Sequence, residues 1–423
     1  MWPPGFSRRA GSRERESSRS AGGIKAPCRT PLRFTARRFC CRRCVEASLH
    51  IRYLSTPALL LDEDRLARNI RRLATHLAPF GVGFRLHAKT LKCVEVARRA
   101  MTTPEGPVAV STLAEAEWFA ERGIPDICYA VGIAPGKFER ALALRERGAA
   151  LSLLLDSVEA ARALADFGEA RGHSFDVLLE VDSDGHRAGL EPGAPALLEA
   201  AGILAARGQR VAGVLTHAGS AYELAEPSPE AFAALAEQER AAALAAARVL
   251  RAAGHMCPVV SVGSTPTALF GEDFSGVTEV RAGVYLTQDL VMAGLGVCAV
   301  EDIALSVLCT VIGRRGSDGA LVTDAGWTAL SRDAGLPGRF AEFGYGLVSD
   351  EHGKLLPGLR VSETNQEHGL ITAGPGAPVP PLPVGTLLRI LPVHACATAT
   401  GFETVHLCRG AEEMASWPRC RGW

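Results

Sequence analysis

What most constrains this chain is an alternation between short, wholly apolar segments and longer segments whose apolar residues recur at helical spacing. Val108-Ala109-Val110-Ser111 precedes Leu113–Arg122, Ile127-Cys128-Tyr129-Ala130 precedes Lys137–Arg147, and Leu151–Leu155 precedes Ser157–Ala170. Asp176–Val181 leads to a helix around Ala194–Arg207, and Val211–His217 and Val259–Gly263 continue the series. Strands without a polar face are buried on both sides, which requires a parallel sheet covered by helices. Seven or eight such units over roughly 240 residues predict a (β/α)₈ barrel of the TIM type. From about Leu290 the texture changes. Ile303–Val311, Gly319–Thr323, Tyr345–Val348, Leu370–Thr372 and Leu387–Leu391 are short strands punctuated by Gly, Pro and Asp. They predict a second, smaller antiparallel β domain. The expected division is a leader at 1–50, the barrel at 51–290 and the β domain at 291–423.

The formal net charge of zero hides an asymmetry. Residues 1–50 hold 12 Lys/Arg against three acids, which leaves 34 basic and 43 acidic residues and a body near −9. That argues against nucleic acid as a partner. No uninterrupted apolar run approaches the ~18 residues of a membrane span, so no membrane partner is expected. The leader is Arg- and Ser-rich and lacks the apolar region of a secretory signal. Its composition suits an organelle transit peptide, but the Ala/Arg/Gly-rich texture of the rest puts first the reading of a disordered stretch upstream of the true start. The expected compartment is the cytoplasm, or the mitochondrion if the leader is a transit peptide. Cys40-Cys41-x-x-Cys44 has no second ligand cluster at finger spacing and reads as part of that leader. Cys93, Cys128, Cys257 and Cys309 stand singly in apolar runs, as reduced core thiols do.

Several segments put reactive side chains where barrel strands end. Val82–Thr90 reads as a buried strand running into a loop, which carries Lys89 into the barrel mouth. Desolvation and neighbouring cations there free a lysine amine to attack a carbonyl. Gly263-Ser264-Thr265-Pro266-Thr267 follows a late strand, and its N–H groups and hydroxyls suit an anion such as phosphate. The same residues also make an ordinary polar turn. His217, with Tyr222 nearby, reaches the mouth from another strand, to pack on a ring, move a proton or bond the backbone. Arg187 follows the strand Asp176–Val181, and its guanidinium suits an anion or a ring nitrogen. His394-Ala395-Cys396 pairs an imidazole with a thiolate two residues on, a set that suits zinc with positions left open. Glu367-His368-Gly369 offers further polar groups to the same cleft.

In this order the segments resemble the D-serine dehydratase / D-threonine aldolase family, pyridoxal-phosphate enzymes of alanine racemase-like fold. The pieces that carry the resemblance span residues 52–408. They include Thr56-Pro57-Ala58-Leu59, His87-Ala88-Lys89-Thr90, Arg187-Ala188-Gly189, His217-Ala218-Gly219-Ser220, Gly263–Thr267, Glu279–Tyr285, Thr323-Asp324-Ala325-Gly326 and Pro392–Cys396. The resemblance implies that Lys89 forms the Schiff base with pyridoxal phosphate and that Gly263, Ser264 and Thr265 hold the phosphate. Arg187, His217 and Tyr222 are its other expected cofactor contacts, and His394 and Cys396 its metal ligands. Family aldolases tend to carry Asp at the place of Cys396, and a soft thiolate selects zinc. Cys396 therefore tilts the expectation toward a dehydratase that converts a D-β-hydroxy amino acid, D-serine first, to a 2-oxo acid and ammonia. The alternatives are a D-threonine or 3-hydroxy-D-aspartate aldolase, a D-threo-3-hydroxyaspartate dehydratase, and more remotely a non-catalytic pyridoxal-phosphate carrier. A homodimer is expected by analogy of fold. Leu91 and Val393 depart from the histidine and asparagine often found at those places in the family.

Overall fold

Eight parallel strands close into a barrel in the computed structural model, which describes residues 49–333, 340–374 and 377–423. The leader through residue 48, with Cys40, Cys41 and Cys44, lies outside the described residues. The barrel strands run Gly83–His87, Val108–Val110, Asp126–Gly132, Ala150–Leu155, Asp176–Glu180, Arg210–Leu215, Val259–Val262 and Glu279–Ala282. The last of these closes the ring by pairing with the first, Val280 opposite Phe84 and Ala282 opposite Leu86. Helices return the chain between strands, and side chains fix where several of them start. Thr112 accepts from Glu115 N–H, Ser157 from Ala160 N–H and Ser228 from Ala231 N–H; each such cap contributes about 1 kcal/mol. Gly213 is required where the sixth strand meets the seventh: a Cβ there would stand 2.0 Å from the Val259 carbonyl oxygen.

The second sheet has ten strands. Six of them, Leu305–Arg314, Leu321–Thr323, Gly369–Ala373, Leu355–Thr364, Leu347–Asp350 and Leu387–Leu391, form a closed antiparallel ring, because the last pairs back on the first. The strand Ala58–Asp62 differs from the sequence reading. It precedes the barrel in the chain but lies in this second sheet, antiparallel to Leu305–Arg314 and parallel to Thr404–Arg409. Its side chains explain the choice. Leu59, Leu60 and Leu61 are all fully buried, and Leu59 and Leu60 belong to different apolar clusters. A strand apolar on both faces needs cover on both. The cysteines Cys93, Cys128, Cys257 and Cys309 are free and buried. No described helix is long and apolar enough to cross a membrane.

Candidate active site

A cavity of about 510 Å³ opens at the C-terminal ends of the barrel strands and is shared with the second sheet. Lys89, His217, Tyr222, Gly263, Ser264, Thr265, His394 and Cys396 all line it. Residues separated by 300 positions in the chain thus meet around one space.

Lys89 stands in the turn after the first strand Gly83–His87. Lys92, three residues on, has a different environment: its ammonium is 3.0 Å from the fully buried carboxylate of Glu115. The cavity lysine is therefore Lys89. Beside it His87 keeps its Nδ1 sealed from solvent, with no hydrogen-bond partner among the described residues. Burial first, then the charges of Lys89 and Arg281, hold His87 well below the usual imidazole range.

Across the cavity Gly263 has φ +128°, and a Cβ there would meet the Arg281 carbonyl oxygen at 2.3 Å. Its backbone therefore lies directly against the eighth strand, and only glycine fits. Ser264 and Thr267 cap each other, Ser264 N–H donating to Thr267 Oγ1 at 2.9 Å. Thr265 N–H donates to the Tyr222 hydroxyl at 3.3 Å. Gly283 and Val284 reach the same cavity from the end of the eighth strand, where the turn Val284–Leu286 begins. The first N–H groups of such a turn have no acceptor within it. Loops after the seventh and eighth strands are where barrels bind phosphate. The sequence offered Gly263–Thr265 for this role and gave Gly283 and Val284 none.

The His217 Nδ1 lies 3.2 Å from the Gly263 carbonyl oxygen, so the ring bonds backbone and faces the cavity at once. Burial, then Lys89 and Arg281, lower its pKa to about 3. A neutral ring packs on a planar ligand; it keeps its one N–H and takes up no second proton at ordinary pH. Arg281, fully buried, donates from Nε to Ser261 Oγ at 2.9 Å and from Nη2 to the Thr216 carbonyl. It forms the cationic floor of the site, a role the sequence did not reveal, because Arg281 entered only as part of the segment Glu279–Tyr285 and its partners lie far along the chain.

The second sheet supplies the opposite wall. His394 Nδ1 is 2.6 Å from Asp333 Oδ2, and the Cys396 thiol is bonded to the same imidazole. The Asp333 bond, then that to Cys396, raises the His394 pKa to about 10. Cys396 Sγ also sits 3.2 Å from Thr90 Oγ1, next to Lys89 in the chain. Asp289 braces this wall: its carboxylate accepts Ala395 N–H and Met292 N–H, each at 2.9 Å. Burial pushes Asp289 upward against the pull of His394. Asp289 and Asp333 carried no sequence signal, being 105 and 61 residues from His394 and set by tertiary contact alone.

Three expectations fall elsewhere. Arg187 does not line the cavity: it is exposed and pairs with Glu180 at 3.3 Å. Glu367 and His368 are exposed and away from the cavity, Glu367 Oε2 accepting from Thr328 Oγ1 at 2.8 Å. Among the described residues, no three His, Cys, Asp or Glu side chains are arranged to hold a metal ion, so His394 and Cys396 form a two-member set.

The site fits the expected groups. A glycine-backed phosphate cradle, a lysine facing it, a neutral planar imidazole and an unpartnered buried Nδ1 suit pyridoxal phosphate. Imidazole and thiolate side by side suit a soft divalent metal, and a carboxylate on the far nitrogen of the histidine is the usual support for such a ligand.

Comparison with known proteins agrees. Residues 61–290 match the family model of the alanine racemase N-terminal domain, and residues 304–408 that of a putative serine dehydratase domain. D-threo-3-hydroxyaspartate dehydratase of Delftia sp. (strain HT23) is 49% identical over 88% of this chain and 98% of its own length. Its solved structure superposes with a TM-score of 0.85 over 88% of this chain and all of that one, at 48% identity. D-serine dehydratase of Dictyostelium discoideum is 28% identical over 86% of this chain and 96% of its own. D-threonine aldolase of Arthrobacter sp. is 28% identical over 82% and 86%. Solved structures of D-threo-3-hydroxyaspartate dehydratase also include a histidine-to-alanine variant and a metal-free cysteine-to-alanine variant, the two positions lying two residues apart.

Proposed function

Since this chain belongs to the D-serine dehydratase / D-threonine aldolase family and is a pyridoxal-phosphate-dependent lyase of D-amino acids, we propose that it dehydrates D-threo-3-hydroxyaspartate. The observation that carries the reading is the single cavity in which Lys89, the Gly263–Thr265 cradle and the His394–Cys396 pair face one another. D-serine was the first expectation from sequence. The 49% identity to a hydroxyaspartate dehydratase, against 28% to a D-serine dehydratase, favours the dicarboxylate. So does the buried Arg281 guanidinium at the cavity, which draws an anionic substrate.

Pyridoxal phosphate, held by Lys89 and the Gly263–Thr265 cradle, supplies an electron sink for charge at the α-carbon. A zinc ion on His394 and Cys396 would supply a Lewis acid for the departing β-hydroxyl. The Lys89 amine takes the α-proton, its turn being fixed by Thr90 against Cys396 and by Lys92 on Glu115. His217 covers the site as a neutral ring and leaves the proton to Lys89. Loss of the α-proton and the β-hydroxyl releases water. Hydrolysis of the resulting enamine then gives a 2-oxo acid and ammonia.

The test is the purified full chain with D-threo-3-hydroxyaspartate, D-serine and D-threonine, assayed for 2-oxo acid, ammonia and aldehyde. Oxaloacetate and ammonia at a higher kcat/KM than pyruvate from D-serine is the expected result. Glycine plus aldehyde without 2-oxo acid would replace this reading with an aldolase.

A further inference from the structure

Behind the cavity a buried carboxylate has no part in the chemistry described so far. Glu239 lies in the long helix Pro229–Ala252 and is 1% exposed. One oxygen, Oε1, accepts two backbone N–H groups, from Ala218 at 3.0 Å and from Gly263 at 2.9 Å. The other, Oε2, accepts from Thr267 Oγ1 at 3.0 Å. These partners belong to two different loops: Ala218 follows His217, while Gly263 and Thr267 flank Ser264. Burying a carboxylate is costly unless it is paired and fully hydrogen-bonded, so an apolar side chain is the default at a helix–barrel contact. The expense at Glu239 coincides with a place where the two cavity loops meet.

The hydrogen-bond directions extend the effect to the cavity. The single Thr267 hydroxyl hydrogen is committed to the carboxylate. The 2.9 Å contact between Ser264 Oγ and Thr267 Oγ1 must then have Ser264 as donor. Thr267 N–H in turn donates to Ser264 Oγ at 3.3 Å. The Ser264 hydroxyl is thus held on Thr267, and turning its hydrogen toward a ligand costs that one bond, while the Thr267 hydrogen stays on the carboxylate.

We propose that Glu239 is the positioning residue of the phosphate cradle, holding Gly263 and Ser264 in place and locking the His217 loop to them. The proposal rests on the pyridoxal-phosphate reading above. It concerns the phosphate end of the ligand and separates from general folding in a way that can be measured. Glu239→Ala removes both acceptor oxygens and with them all three hydrogen bonds, whereas Glu239→Gln keeps an oxygen for both N–H groups. Thr267→Val removes the Oγ1 that joins Glu239 to Ser264, including the acceptor of the Ser264 N–H, and leaves both backbone N–H bonds to Glu239 in place.

The full chain, freed of cofactor, is titrated with pyridoxal phosphate and with pyridoxal, which lacks the phosphate. Glu239→Ala is expected to weaken pyridoxal phosphate binding roughly 10- to 100-fold, as loss of hydrogen bonds to a charged group implies, and pyridoxal binding far less. Glu239→Gln should restore most of the loss, and Thr267→Val should fall between. Equal losses for both ligands, or none in variants that fold, overturn the positioning role. Should Glu239→Ala not fold, the phosphate-selective loss in Thr267→Val alone decides, and its absence overturns the proposal. Wild-type protein that binds neither ligand at Lys89 overturns the cofactor reading itself, a result distinct from a wild type that binds and a variant that does not discriminate.

Discussion

Lys89 and Lys92 are three residues apart and differ in what surrounds them. Lys92 is spoken for by a buried carboxylate, and Lys89 faces open space lined by glycine, imidazole and thiol. Lys89→Ala should abolish the visible absorbance of the bound cofactor and lower turnover about 10²- to 10⁴-fold, the range for losing a general base. Lys92→Ala should keep that absorbance and lower stability by about 3 kcal/mol, because Glu115 is left charged and buried; thermal and urea unfolding measure it. Cys396→Ala should retain the cofactor band, lose bound metal by elemental analysis, and drop turnover at least about a hundredfold. Full turnover after metal stripping would refute the metal role. Lys89, His217, Gly263, His394 and Cys396 were legible in the sequence because each sits at a strand end beside its motif neighbours. Arg281, Asp289, Asp333 and Glu239 were not: their roles depend on groups far along the chain, which local pattern does not encode. Arg187 was legible as a motif residue, but its guanidinium faces Glu180 instead of the cavity.

At the level of elements, most of the barrel could be read because its strands are continuous apolar runs. The eighth strand, Glu279–Ala282, was missed as a strand, since a four-residue segment carrying Glu279 and Arg281 shows no apolar run. In the second sheet, Leu355–Thr364 was missed because Pro357 and Gly358 interrupt it and its register shifts between Val361 and Glu363. Periodicity fails where a strand bulges. Gly213 shows how an element's geometry divides stability from function. Gly213→Ala would drive a methyl into the Val259 backbone, with an expected cost of about 2–4 kcal/mol in unfolding free energy. Because Gly213 lies within a strand and away from the cavity, the folded fraction should still bind cofactor with ordinary affinity, as a titration below the unfolding temperature would reveal.

The molecule as a whole holds two imidazoles neutral at the cavity. His217 is depressed to about 3 and His87 also lies well below the ordinary range, both chiefly through burial. An unfolded histidine titrates near pH 6.5. Below that pH the unfolded chain binds protons that the folded chain refuses, so stability falls as the pH drops from about 6.5 toward 3. Each histidine contributes a slope approaching about 1.4 kcal/mol per pH unit. Urea unfolding of the cofactor-free chain between pH 7 and pH 4 should show this decline, and His217→Asn should make it shallower. An unchanged slope would mean that His217 titrates normally in the fold.

The placement of the strand Ala58–Asp62 has a consequence for how such a chain comes off the ribosome. Its sheet neighbours, Leu305–Arg314 and Thr404–Arg409, are among the later parts to be made, so the barrel can close long before that early strand finds partners. During synthesis Leu59, Leu60 and Leu61 form a sticky apolar edge waiting on a nascent chain, the kind of segment that chaperones shield. Nascent chains stalled before Leu305 should therefore be captured by a holdase far more readily than chains carrying charges at Leu59 and Leu61, even though both already contain every strand of the barrel.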